Sequence, residues 1–146
     1  MNYRFVVNPS LCTGCRTCEL ACAFYHTKNK KPGRSRIYPI AHAPDKFVPV
    51  TCLQCDDAAC ARSCCFDALK RNEITGAIEL NLEKCVKCRA CVAACPFGCA
   101  LIDEVHDEII KCDLCGGNPA CAAFCPTKAL EYKKIEVKAA PARQTA

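Results

Sequence analysis

The sequence predicts an α+β fold of short strands, short helices and many loops. Three observations carry that expectation. The chain has 18 Cys in 146 residues, far above ordinary usage, so the cysteines decide the class. Isoleucine, leucine, valine and phenylalanine supply only 31 residues and there is no Trp, too little aliphatic material for the core of a domain this long. Sixteen of the cysteines fall into four groups of four with recurrent spacings, and the groups recur as a tandem copy.

Two chemistries compete for so many thiols, disulfides in an oxidising compartment and metal ligation in a reducing one. The N-terminal stretch MNYRFVVNPSLCTGC has neither a basic leader nor an apolar segment after it. No apolar run approaches the ~20 residues of a membrane span. The expectation is a cytoplasmic protein without a direct membrane span, in which the cysteines hold metal. Bound metal would then replace the missing aliphatic interior, and its binding energy would also be folding energy.

Group one is Cys12, Cys15, Cys18 and Cys22, and group three is Cys85, Cys88, Cys91 and Cys95; both read C-x2-C-x2-C-x3-C. Group two is Cys52, Cys55, Cys60 and Cys64, and group four is Cys112, Cys115, Cys121 and Cys125, each with a longer middle spacing. A cubane [4Fe–4S] cluster needs four thiolates. A loop with a cysteine at every third residue can curl over one corner of the cube with its N–H groups turned inward against the negative charge. The fourth cysteine lies a helical turn beyond the third and faces away; in two-cluster ferredoxins it ligates the other cluster. Pro96 and Pro126 follow the fourth cysteines of groups three and four, and proline cannot continue a helix. A zinc-rich module is the distant rival, but a tetrahedral ion gains nothing from three cysteines in seven residues.

The repeat sets the organisation. VVNPSLCTGCRTCELAC resembles AIELNLEKCVKCRACVAAC, with Arg16 matching Arg89, and CLQCDDAACARSCCFDAL resembles CDLCGGNPACAAFCPTKAL. Between groups two and three, two short β-type runs flank ITG, which reads as a hairpin turn. The runs YRFVV and ALEYKKIEV can pair as first and last strands. Groups two and three therefore form one unit, nested inside a second unit made by groups one and four. Residues 1–138 read as a single four-cluster domain, and residues 139–146 as a disordered tail.

All four motifs, over residues 3 to about 137, resemble the four-cluster ferredoxin subunits of molybdenum- and tungsten-pterin oxidoreductases, of the dimethyl sulfoxide reductase and formate dehydrogenase β-subunit type. The compact size is most like the small iron–sulfur subunit of tungsten aldehyde oxidoreductases. The resemblance implies two nested bacterial-ferredoxin-like units and four [4Fe–4S] clusters. It places one on Cys12, Cys15, Cys18 and Cys125, one on Cys112, Cys115, Cys121 and Cys22, one on Cys52, Cys55, Cys60 and Cys95, and one on Cys85, Cys88, Cys91 and Cys64. It also implies an electron-transfer subunit without a substrate site of its own. Its partners would be a catalytic pterin-containing subunit and a flavin-containing or other redox subunit. Ferredoxin-like subunits of hydrogenases, formate dehydrogenases or carbon monoxide dehydrogenases are the alternative. One departure is Cys65, which stands where the family usually has proline; Cys65 and Cys99 are expected to be small buried thiols beside clusters.

A formal charge of +5 is what a nucleic-acid-binding protein would carry. Four oxidised clusters with their thiolates bring about −8 and reverse it, so nucleic acid is not the expected partner. The basic run HTKNKKPGRSR, residues 26–36, reads as a solvated loop or as a docking surface of Lys28, Lys30, Lys31, Arg34 and Arg36. His26, His42 and His106 sit near no nucleophile and receive no acid–base role. Lys87 and Arg89 flank group three and Asp113 lies in group four, so the Cys85 cluster is expected at higher potential than the Cys112 cluster. A row of sites open at both ends would also permit head-to-tail self-association.

Overall fold

The structure is a computed structural model and describes residues 3–134. The expected tail, 139–146, and the end of the expected last strand, 135–137, lie outside those residues. In chain order the elements are β1 (Tyr3–Val7), α1 (Thr17–Tyr25), β2 (Ile37–Ala43), β3 (Lys46–Thr51), α2 (Ala59–Arg62), β4 (Leu69–Arg71), β5 (Ile78–Leu80), α3 (Ala90–Ala94), β6 (Ala100–Asp103), β7 (Glu108–Lys111), α4 (Ala120–Ala123) and β8 (Leu130–Lys134). This is the α+β arrangement of short elements and much loop that the sequence predicts.

The strands form four antiparallel pairs: β1 with β8, β2 with β3, β4 with β5, and β6 with β7. First and last strands close on each other, with Val7 opposite Leu130 and Phe5 opposite Tyr132. Tyr3 stacks on Tyr132 with ring centroids 5.3 Å apart. The β4–β5 hairpin turns where the sequence places it. The Asn72 side-chain oxygen accepts the N–H groups of Ile74 and Thr75, and Gly76 takes φ +71°, a conformation that costs glycine little. Helix α1 packs on α4, and α2 on α3.

Two hairpins had no counterpart in the sequence reading. In β2–β3, Pro39 stands opposite Pro49. Two prolines would argue against a central strand, but in a two-stranded ribbon a facing pair that exchanges no N–H tolerates both. The β6–β7 hairpin carries Ile109 and Ile110 into the interior.

Among the described residues, nine of the 22 buried apolar residues are cysteine and six are alanine. The large side chains buried most completely are Ile37 and Leu130 alone. Two apolar groups result. One gathers Cys18, Cys22, Cys121 and Cys125 with Ile37, Leu130, Phe5 and Val7. The other gathers Cys60 and Cys91 with Leu69, Ile78, Ile109 and the half-buried Cys55, Cys64 and Cys85.

Candidate metal centre

Each cysteine group begins in a loop with left-handed backbone. Gly14 (φ +70°) and Lys87 (φ +57°) sit two residues after the first cysteine of groups one and three, and Arg16 (φ +60°) and Arg89 (φ +64°) follow the second. In groups two and four the matching left-handed residues are Gln54 (φ +51°) and Leu114 (φ +53°). Asp67, Gly98 and Lys128 repeat it three residues after the last cysteines of groups two, three and four. Only two of these nine residues are glycine, and each non-glycine residue held there stores strain. Alternating right- and left-handed residues turn successive N–H groups into a concavity that suits an anion. The duplication extends to hydrogen bonds: Asn8 donates its N–H to Ala129 O and Asn81 to Ala68 O, both at 2.8 Å.

The third cysteine of every group, Cys18, Cys60, Cys91 or Cys121, is the second residue of a helix, and none of the four helices has a side-chain cap. Their free N–H groups favour negative charge at that sulfur. The fourth cysteine follows a turn later. Helix α3 stops at Cys95, before Pro96, and α4 stops short of Cys125; α2 stops equally early at Arg62 with Cys65 in the place of proline. Group one has no proline there, and α1 runs through Cys22 to Tyr25.

Cys52, Cys55, Cys60 and Cys95 line one cavity, together with Cys99 and Ile78. Cys64, Cys85, Cys88 and Cys91 line another. Cys12 packs with Cys18 and Cys125, and Cys121 has Cys112, Cys22, Cys115 and Cys18 as neighbouring thiols. The eighteen cysteines are all free. Cys99 is buried as expected, in the position that Ala68 and Ala129 hold in the other units. Cys65 is exposed, against the expectation of a buried thiol, because its turn faces outward once α2 has ended.

The sulfurs are hard to ionise where they crowd and easy where N–H groups reach them. Burial pushes the Cys18 thiol up to about 11, and also raises Cys60, Cys91 and Cys121, with neighbouring thiols adding to it. At Cys22, Cys95 and Cys125 burial acts in the same sense, but hydrogen bonds outweigh it and the pKa falls. Arg36 N–H reaches Cys22 Sγ at 3.3 Å, Cys99 N–H reaches Cys95 Sγ at 3.3 Å, and Ala68 N–H reaches Cys64 Sγ at 3.3 Å. A set of packed thiols beside convergent N–H donors matches an anionic cluster whose iron deprotonates them outright. The donor set fits iron–sulfur clusters.

The polar residues around the thiols were not visible as such in the sequence. Gln54 donates through Nε2 to Cys112 O at 2.8 Å and accepts Ile78 N–H through Oε1 at 2.9 Å. Lys111 is buried and donates to Cys52 Sγ at 3.1 Å. His26, assigned no role from sequence, joins Asp113 at 3.3 Å, and Arg36 donates to Asp113 at 3.1 Å. Burial opposes charge on both partners. Hydrogen bonding and the Arg36 charge nevertheless hold Asp113 far below the usual carboxylate range, and hydrogen bonds to Asp113 and Cys22 push His26 up to about 9. His26, Asp113 and Cys115 each bring a ligand atom within 4.8 Å of the others.

These contacts revise the reading of the basic run as a docking surface or a solvated loop. Lys28 pairs with Glu108 at 2.6 Å, Arg34 donates to Ile102 O at 2.9 Å, and Arg36 holds Asp113. The run straps the outer unit to the β6–β7 hairpin, although Lys28, Lys30, Lys31 and Arg34 all stay exposed. The charge contrast between groups three and four shrinks as well, since Lys87 pairs with Asp107 at 2.6 Å and Asp113 is paired twice.

A 4Fe-4S dicluster domain matches residues 44–135, and a 4Fe-4S binding domain matches residues 9–25. This protein belongs to the 4Fe-4S dicluster family. The polyferredoxin-like subunit of aliphatic sulfonate oxidoreductase from Pyrococcus furiosus is 42% identical over 130 residues, spanning 89% of this chain and 75% of the relative. The B subunit of anaerobic dimethyl sulfoxide reductase from Escherichia coli is 31% identical over 153 residues, 92% of this chain and 74% of the relative. Among solved structures, the active-site complex BamBC of benzoyl coenzyme A reductase with 1,5-dienoyl-CoA superposes with a TM-score of 0.52 at 25% identity, over 99% of this chain and 82% of that one. This dicluster-family protein holds [4Fe–4S] clusters and is an electron-transfer iron–sulfur subunit of the oxidoreductase type. No helix among its described residues is long and apolar enough to cross a membrane.

Proposed function

We propose that residues 1–138 form a single four-cluster relay in the cytoplasm, without a substrate site of its own. It would serve a tungsten- or molybdenum-pterin oxidoreductase, with an aldehyde-oxidising subunit as the catalytic partner and a flavin-containing or other redox subunit as the second. The sites we assign are Cys12/Cys15/Cys18/Cys125, Cys112/Cys115/Cys121/Cys22, Cys52/Cys55/Cys60/Cys95 and Cys85/Cys88/Cys91/Cys64. Bound there, the clusters supply one-electron carriers. Four thiols at each site leave no ligand position for a substrate.

The observation that carries this reading is the gradation of exposure along the sites. The second cysteine is exposed at Cys15 and Cys88, half-buried at Cys55 and buried at Cys115. The Cys112 and Cys52 sites meet through Gln54, which touches Cys112 O and the Cys52 loop at once. The order along the chain is therefore the Cys12 site, the Cys112 site, the Cys52 site and the Cys85 site, with open ends at Cys15 and Cys88 for the two partners. Around the interior sites, buried Ile78 and Leu114 exclude water. The resemblance to subunits of sulfonate oxidoreductase and dimethyl sulfoxide reductase supports a catalytic partner. Two open ends also allow head-to-tail self-association, which sizing at several concentrations checks through a rising mass.

Anaerobic purification from the native source tests the assignment. Iron and acid-labile sulfide should each approach about sixteen per chain, four per cluster, and a pterin-bearing subunit with tungsten or molybdenum should co-purify. Colourless protein, or about half that iron, would sink the four-site reading.

A further inference from the structure

Lys111 closes β7 immediately before Cys112 and is buried. Its Nζ lies 3.1 Å from Cys52 Sγ, 3.1 Å from Gln54 Oε1, 3.0 Å from Ile78 O and 3.4 Å from Cys112 O. Three close acceptors match the three N–H bonds of an ammonium and leave no donor to face an amine lone pair. Among the described residues no carboxylate pairs with it. Asp113, two residues on, is engaged by Arg36 and His26. A buried ammonium without a counter-charge is costly, and the acceptor in reach that becomes an anion is Cys52 Sγ.

We propose that Lys111 is the internal counter-ion of the cluster held by Cys52, Cys55, Cys60 and Cys95, and that it raises the reduction potential of that site. The inference rests on the site assignment above. A fixed positive charge hydrogen-bonded to a ligating sulfur favours the state with one more electron, and the effect is strong because the contact is dry. Lys111 is a positioning and tuning residue that touches a ligand. The other copy does not repeat it: in group two the residue before the first cysteine is Thr51, buried but neutral, its hydroxyl donating to Arg36 O at 3.3 Å. Lys111 also touches Cys112 O, so its charge sits at the junction of the two nested units.

Redox titration of the anaerobic holoprotein, followed by EPR, tests this in Lys111→Met, Lys111→Gln and the surface control Lys30→Met, exposed and outside the cysteine loops. In both Lys111 variants one cluster should become at least tenfold harder to reduce, a fall of about 59 mV for a one-electron couple, while the control and the other clusters move less. If Gln restores the original potential, the hydrogen bond and not the charge matters, and the counter-ion role fails. It fails equally if no signal moves, or if Lys30→Met moves one as far. Should both Lys111 variants fail to assemble, the unaltered protein labelled with nitrogen-15 at lysine Nζ reads the same contact. A lysine nitrogen coupled to one reduced cluster is expected in pulsed EPR, and its absence overturns the proposal. Full iron content with unmoved potentials sinks the role of Lys111 alone, whereas iron well below about sixteen sinks the site assignment first.

Discussion

Replacing Leu130 with alanine should release the outer clusters and spare the inner ones. Leu130 lies in β8 opposite Val7, is 2% exposed, and packs with Cys18, Cys22, Cys121 and Cys125. The substitution removes three buried carbons at about 0.8 kcal/mol each and adds a cavity cost, for about 3–4 kcal/mol. The upper part of the usual range applies, because among the described residues Ile37 is the only comparably buried large side chain near enough to fill the space. At about 1.4 kcal/mol per factor of ten, local opening of the outer unit becomes more than a hundredfold more frequent. The assay is anaerobic challenge with an iron chelator, with EPR of the remaining clusters after reduction. Signals of the Cys12 and Cys112 sites should disappear first. Ile109→Ala, in the inner apolar group, should reverse the order. If both variants lose the same signals at the same rate, the two nested units are not separate structural entities and the reasoning is refuted.

Gly14→Ala should cost about 1–3 kcal/mol, because φ is +70° and the new Cβ would lie 2.7 Å from the Phe47 ring; iron content and melting of the purified variant read it. Arg36→Met leaves Asp113 with His26 and the Cys115 N–H. Since that carboxylate keeps 36% side-chain exposure, the loss should be about 2 kcal/mol rather than the 3–5 of a fully buried pair, a fall of about 4–8 °C in Tm. A variant melting within a degree of the parent would remove the strap from the stability argument. His106, whose Nδ1 lies 2.8 Å from Asp103, is raised from 6.5 by that hydrogen bond, and hydrogen bonds to His106, Arg34 N–H and Val105 N–H overcome burial to lower Asp103. The imidazolium share of stability is complete below pH 6.5 and is lost as pH rises through the raised value. The carboxylate share is present above 3.8 and is lost as pH falls through the lowered one. Melts across pH should show an alkaline loss in the parent that His106→Gln reduces, the remainder belonging to His26; an identical alkaline limb in both would exclude the pair.

What was legible follows from what depends on local spacing. The three-residue cysteine period dictates a loop and then a helix, and all four helices start one residue before the third cysteine. The matching of Arg16 with Arg89 reappears as a shared left-handed conformation. The ITG turn was readable because it ends in glycine between two β-type runs. The β2–β3 and β6–β7 hairpins were not. Pro39 and Pro49 obscure one pattern, and in the other Lys111 ends the strand where a polar residue ordinarily marks exposure.

Charge was the least legible property, and the reason is topological. Neighbours along the chain made Lys87 and Asp113 look decisive, one beside group three and one within group four. Folding brings Asp107 to the first and Arg36 with His26 to the second, so the first becomes part of a neutral pair and the negative charge of the second is outweighed by two cations. The first pair is also wet: Lys87 and Asp107 side chains are 49% and 82% exposed, and water and salt screen what remains. Lys111 differs in both respects, being dry and lacking a carboxylate among the described residues. Electrostatic tuning of a buried redox site depends on the charge left uncompensated in low dielectric, not on the number of ionisable residues near its motif. By that criterion a lysine ending a strand outweighs an eleven-residue basic run.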